Sequence, residues 1–151
     1  MAMKQPHVVI FPFPLQGHMK PLLCLAELLC HASLHATYVN THHNHERLAN
    51  RQALSTHFPT LHFESISDGL PEDDPRTLSS QLLIALKTSI RPHFRELLKT
   101  ISLKAESNDT LVPPPSCITT VSATFPPSIT ISCYMRLDLH KTLYLGVLWV
   151  Q

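Results

Sequence analysis

The apolar positions fall into two rhythms along the chain. Residues 7–13, HVVIFPF, are β-branched and aromatic without alternation, the pattern of a parallel strand buried on both faces. Pro14, Gly17 and Pro21 punctuate the stretch after it. A helix is expected from near Met19, with Pro21 in its first turn, where its missing N–H would be unpaired anyway. Leu22, Leu25, Ala26 and Leu29 then recur at i, i+3, i+4 and i+7 and form a core-facing stripe. HATYVN (35–40) reads as a second strand. THHNHERLANR reads as a helix with Thr41 as its N-cap. LHFESI (61–66) is a third strand, and DGLPEDDPR is a polar, turn-rich loop. From Leu78 to about Ile101 a helical pattern runs through Leu82, Leu83, Leu86, Ile90, Phe94, Leu97 and Leu98, with Pro92 as a candidate kink. AESNDTLVPPP is a linker, and SCITTVSATF opens a fourth strand. Strands and helices in alternation imply an α/β fold, a parallel sheet with right-handed crossovers.

Composition narrows the function. The chain has 151 residues, room for one domain with a core and too few for two full ones. Apolar residues make up 44% and charged residues 15%, which fits a buried sheet rather than a disordered chain. Net charge is +1 and no basic stripe is interleaved with aromatics, so nucleic acid is a poor partner. Only three Gly accompany thirteen Pro, and five of those prolines follow residue 112, so the last forty or so residues differ in character from the rest. The four cysteines, Cys24, Cys30, Cys117 and Cys133, show no CxxC spacing; reduced thiols in the cytoplasm are expected, with Cys24 and Cys30 acting as small buried hydrophobes. Pro12 and Pro14 interrupt the apolar run near the start, which therefore reads as a first strand and not a signal peptide. The run Thr142–Val150 is too short to cross a bilayer, so no stable membrane insertion is expected.

Open parallel sheets bind ligands outside the carboxyl ends of their strands. The first such place is FPFPLQGHMKP, residues 11–21, and His18 is its one group that titrates near neutrality. The partial positive charge at a helix N-terminus disfavours imidazolium and keeps a lone pair free. A neutral imidazole there can take a proton from an attacking alcohol or phenol, help worth about 10²–10⁴ in rate. By spacing alone, a lone His after a strand is more often an ordinary loop residue. The loop has one Gly and neither GxGxxG nor GK[ST], so it is not a phosphate cradle. His42, His43 and His45 could suggest a metal, since positions 42 and 45 share a helical face. With no Cys or suitable carboxylate beside them, they read as a solvated helix, and no metal site is expected. The acidic DGLPEDD stretch likewise reads as a solvated loop, with Asp68 and Gly69 in a turn.

HVVIFPFPLQGHMKPLLCLAELL resembles the opening of plant family-1 UDP-glycosyltransferases: a strand, P-x-QGH-x-x-P, then a leucine-rich helix. HATYVNTHHNHERL is similar to their second strand and following helix. LHFESISDGLPEDDPR is similar to their F-x-x-I-x-DGLP segment, and FRELLKTI followed by a linker and SCI also fits. The likeness covers about residues 6–118 and is nearest to the branch that glucosylates terpenoid, iridoid and cyanohydrin-type acceptors. It implies a GT-B architecture of two Rossmann-like domains, of which residues 1–118 would form part of the amino-terminal, acceptor-binding one. It implies inverting, metal-independent transfer of glucose from UDP-glucose to a small lipophilic molecule. His18 would be the general base, with Phe13, Leu15, Gln16, Gly17 and Leu86 around the acceptor. UDP-sugar would be a co-substrate, and no resident cofactor is implied.

Two departures bear on activity. The family orients its His with an Asp in a C-I-x-x-D-G stretch; here Cys117 and Ile118 lead into TTVSATFPPS, and no Asp follows until Asp138. Without that carboxylate, the imidazolium lacks its partner and the tautomer is not fixed. Residues 119–151 do not continue the motif pattern, which suggests a frameshifted or mis-spliced tail, and the lone tryptophan, Trp149, sits in no sugar-nucleotide signature. The expectation is a segment without its UDP-sugar domain, inactive alone and at most a small-molecule binding module.

Overall fold

The computed structural model describes residues 6–77, 79–107, 117–124, 128–138, 141–142 and 147–149. The side chains of Gln16, Leu83, Leu86, Lys87 and all residues beyond 107 lie outside that description. The linker expected at 105–115 is helical as far as Glu106 and otherwise lies outside the described residues.

Strand β1 is His7–Phe11 and not 7–13, because Pro12 brings no N–H to a ladder. Helix α1 spans Gln16–His31, beginning a turn earlier than the apolar stripe suggests. Pro21 therefore lies in the second turn and removes the amide that the carbonyl of Gly17 would otherwise meet. Strand β2 is His35–Thr41 and β3 is Leu61–Ile66. Between them the helix expected over 41–51 is α2, His42–Arg47, and a further helix, α3, spans Arg51–His57. Thr41 caps α2 as expected, its Oγ1 accepting from the Asn44 amide at 3.4 Å.

The long helical pattern is α4 (Ser80–Ala85), a π-helical turn (Leu86–Ile90) and α5 (Arg91–Glu106). The irregularity thus precedes Pro92 instead of centring on it. Pro92 sits in the first turn of α5, where a proline is tolerated.

β1, β2 and β3 pair in parallel, with Ile10 opposite Tyr38 and Thr37 opposite His62. β4, Cys117–Thr124, adds in parallel on the other side of β1, giving the order β3-β2-β1-β4. β5 (Ser128–Asp138) runs antiparallel to β4, and two short strands, β6 (Lys141–Thr142) and β7 (Val147–Trp149), pair antiparallel with β5.

Alternate strand residues point to opposite faces, and each face has its own cluster. On one, Ile10, Ala36, Tyr38 and Leu61 pack with Leu22, Leu23 and Ala26 of α1 and with Phe58, while Leu25 and Leu29 pack partly buried against them. On the other, Val9, Phe11, Val39 and Ile66 meet Ile90, Phe94, Leu97 and Leu98. Phe11 stacks on Phe94 with ring centroids 5.0 Å apart. Helices on both faces of a parallel core make this an incomplete Rossmann-like sheet. Among the cysteines whose side chains are described, Cys30 is buried as expected, and burial raises its thiol pKa. Cys24 is exposed instead, because it points away from the α1 stripe that meets the sheet.

Candidate functional site

The strand order reverses at β1. The chain moves outward from β1 to β2 and β3, then returns to place β4 on the opposite side. Such a switch point leaves a crevice at the carboxyl ends of the two central strands. The β1–α1 loop, residues 12–15, leaves β1 at that carboxyl end. Leu15 is extended (φ −115°, ψ 141°) and supplies the first helical carbonyl, which accepts from the amides of His18 at 3.0 Å and Met19 at 3.3 Å. His18 is therefore the third residue of α1, half-buried, with its ring edge-to-face on Phe13 at 5.6 Å.

The expected acceptor residues sort unevenly. Phe13 and Leu15 are half-buried in the same loop, and Gly17 is exposed, with open space where a Cβ would stand. Gln16 and Leu86 are placed by backbone only, in the first turn of α1 and the π-helical turn. On β4, Phe11 lies opposite Thr120, so Val121 is the next residue at the carboxyl end of that ladder. It holds the position at which a C-I-x-x-D stretch beginning at Cys117 would carry its carboxylate.

The structure adds contacts that the sequence did not advertise. The DGLPEDDPR loop is organised inward, not solvated throughout: Asp68 and Arg76 are both buried and paired, Nε to Oδ2 at 3.2 Å and Nη2 to Oδ1 at 3.3 Å. The same guanidinium donates to the carbonyls of Leu70 and Asp74 at 3.2 and 2.9 Å, and also to that of Pro71. A planar fork with five donors can satisfy a whole loop in this way, whereas an ammonium cannot. Gly69, at φ +71°, seats the loop on the π-helical turn; a Cβ there would stand 2.5 Å from Ser89 Oγ. One signal was available: an Arg closing a run of acidic residues and prolines.

The histidines after β2 are solvated only in part: His42 is exposed, while His43 and His45 are half-buried. His42 Nδ1 lies 2.9 Å from Ser65 Oγ, and the Nδ1 of the half-buried His45 is enclosed without a hydrogen-bond partner. Burial, then the Arg76 and Arg47 cations, hold His43 below the usual imidazole pKa. Among the described residues no group of three or more His, Cys, Asp or Glu could hold a metal ion, and no helix is long and apolar enough to cross a membrane.

Fold and site together define a partial Rossmann-like α/β domain whose strand order reverses at β1. No family profile matches the chain. Mogroside I-A1 synthase of Siraitia grosvenorii is 44% identical over 102 residues, covering 67% of this chain and 20% of that protein. 7-Deoxyloganetin glucosyltransferase of Catharanthus roseus is 36% identical over 148 residues, covering 93% of this chain and 28% of that protein. A shared segment of that extent necessarily runs past Thr119 into β4 and β5. The 7-deoxyloganetic acid glucosyltransferase of the same plant is 40% identical over 98 residues, covering 62% of this chain and 20% of that protein. In fold, the chain matches the crystal structure of LpCGTa in complex with UDP, with a TM-score of 0.54 at 22% identity, over 77% of this chain and 24% of that one. The chain belongs to the plant UDP-glycosyltransferases, and it spans about a quarter of the length of the relatives it matches.

Proposed function

We propose that this chain is the acceptor-binding segment of a UDP-glucosyltransferase that glucosylates a hydroxyl of a small lipophilic plant metabolite in the cytoplasm. His18 is the general base. Its neutral imidazole takes the proton as the acceptor oxygen bonds to the anomeric carbon, and the bond to UDP breaks with its electron pair leaving on the diphosphate. Configuration inverts because attack and departure lie on opposite faces. Phe13, Leu15, Gln16, Gly17 and Leu86 line the acceptor side, and no metal or resident cofactor takes part. The observation that carries this reading is the position of His18, at the mouth of the switch point between β1 and β4 with its ring against Phe13. The names of the relatives support the reaction class.

A second reading is a binding module without turnover. Val121 supports it: it stands one residue past the Phe11–Thr120 pair, where the family's C-I-x-x-D stretch would carry its carboxylate. The leaving diphosphate also needs its charge offset, which a base alone does not do. One experiment can overturn each reading. The 151-residue protein is mixed with a monoterpenoid alcohol and UDP-glucose and followed by NMR and product assay. Perturbed ring signals of His18 and Phe13 on adding the alcohol, with no glucoside formed, are expected of the isolated segment. Glucoside formation overturns the binding-only reading, and an alcohol that moves signals elsewhere but not these overturns the acceptor site.

A further inference from the structure

Two buried side chains on the neighbouring strand and helix grip the His18 segment from both ends. Tyr38 of β2 is 1% exposed, and its hydroxyl donates to the Met19 carbonyl at 2.6 Å. Burial raises its phenol pKa, so the group stays protonated and remains a donor. Asn44 of α2 is 8% exposed, and its Nδ2 donates to the Pro14 carbonyl at 3.4 Å. Asn44 is itself fixed, because its backbone amide is held by the Thr41 cap. Pro14 and Met19 bracket residues 15–18, whose internal bonds run from His18 and Met19 back to Leu15. The β1–α1 loop thus has one anchor before the helix and one just after His18.

We propose that Tyr38 and Asn44 are positioning residues that set the imidazole of His18 for its encounter with the acceptor. The proposal rests on the reading of His18 as the base. Neither residue is placed to touch substrate; each acts on a backbone carbonyl within four residues of His18. The arrangement also explains why a core tyrosine stands at position 38 where phenylalanine would fill the same space: its hydroxyl has a partner that no apolar ring could meet.

The test reads His18 geometry in the unliganded chain, so its failure is separate from failure of the catalytic reading. Tyr38→Phe keeps the ring and removes one hydroxyl; Asn44→Ala removes the second anchor. In each variant the ring-proton shifts of His18 should lose part of the ring-current contribution of Phe13. Exchange of the His18 and Met19 amides should quicken about three- to tenfold, the loss of one net hydrogen bond. The imidazole signals of His7 and His62, at the opposite end of the sheet, should stay in place. If Tyr38→Phe leaves the His18 shifts and exchange unchanged, or moves every histidine alike, the positioning role is wrong and Tyr38 only packs the core. Should Asn44→Ala fail to fold, Tyr38→Phe decides alone.

Discussion

Arg76 and Asp68 form an ion pair whose side chains are only 6% and 7% exposed, and that pair shapes the whole loop between β3 and α4. Removing one partner of such a pair leaves a buried charge uncompensated, which costs about 3–5 kcal/mol. Arg76→Ala should therefore lower the urea midpoint sharply. Arg76→Lys should recover only part, because an ammonium cannot fork to both carboxylate oxygens and the loop carbonyls together. Equal midpoints for wild type and Arg76→Ala would mean the pair contributes nothing.

The two glycines nearest the site should respond in opposite ways. Gly69→Ala meets both a positive φ of +71° and the Ser89 side chain, and should destabilise by roughly 1–3 kcal/mol. Gly17 lies in α1 with open space about it, so Gly17→Ala should be neutral or gain up to about 1 kcal/mol from helix propensity. If Gly17→Ala weakens binding of a lipophilic alcohol while raising the melting temperature, the glycine keeps the approach to His18 clear.

Stability should fall in mild acid. Burial holds the imidazoles of His35 and His62 below their ordinary pKa, and the charge of His35 adds to the effect at His62. Such groups are protonated first in the unfolded chain. Stability is then intact above the unfolded value of about 6.5 and declines as pH falls from there towards the lower folded values. Melting temperatures between about pH 8 and pH 5 should show this fall, and His62→Gln should flatten it; an unchanged slope in that variant would place the titration elsewhere.

His18→Ala should leave stability within about 0.5 kcal/mol of wild type, since the described contact of its ring is the edge-to-face one with Phe13. Affinity for a hydroxylated acceptor should drop by about 0.5–1.5 kcal/mol, one hydrogen bond, measured by calorimetry. A loss of fold in His18→Ala would recast the residue as structural.

The parallel core was legible because its signals are local. An unalternating run of β-branched and aromatic residues marked β1, Thr41 announced the cap of α2, and an i, i+3, i+4, i+7 stripe marked the buried side of α1. The motif around His18 likewise stood in contiguous residues. What the sequence by itself determined was the alternation of elements, the candidate base and the family likeness. Only the tertiary structure decided which of the polar residues turn inward. Asp68 and Arg76 are eight positions apart in a loop with no period to predict their pairing. Asn44 reaches Pro14 across thirty residues, and Tyr38 reaches Met19 across nineteen. Gly69 closes on Ser89 because the chain inserts a π-helical turn where its apolar pattern reads as continuous helix. The switch point is also a tertiary fact, since β4 could have added beside β3 with the same sequence of elements. Periodicity reports which face of an element is apolar. It carries no information on which polar groups meet once the faces are buried, and those meetings tie the β1–α1 loop to β2 and α2.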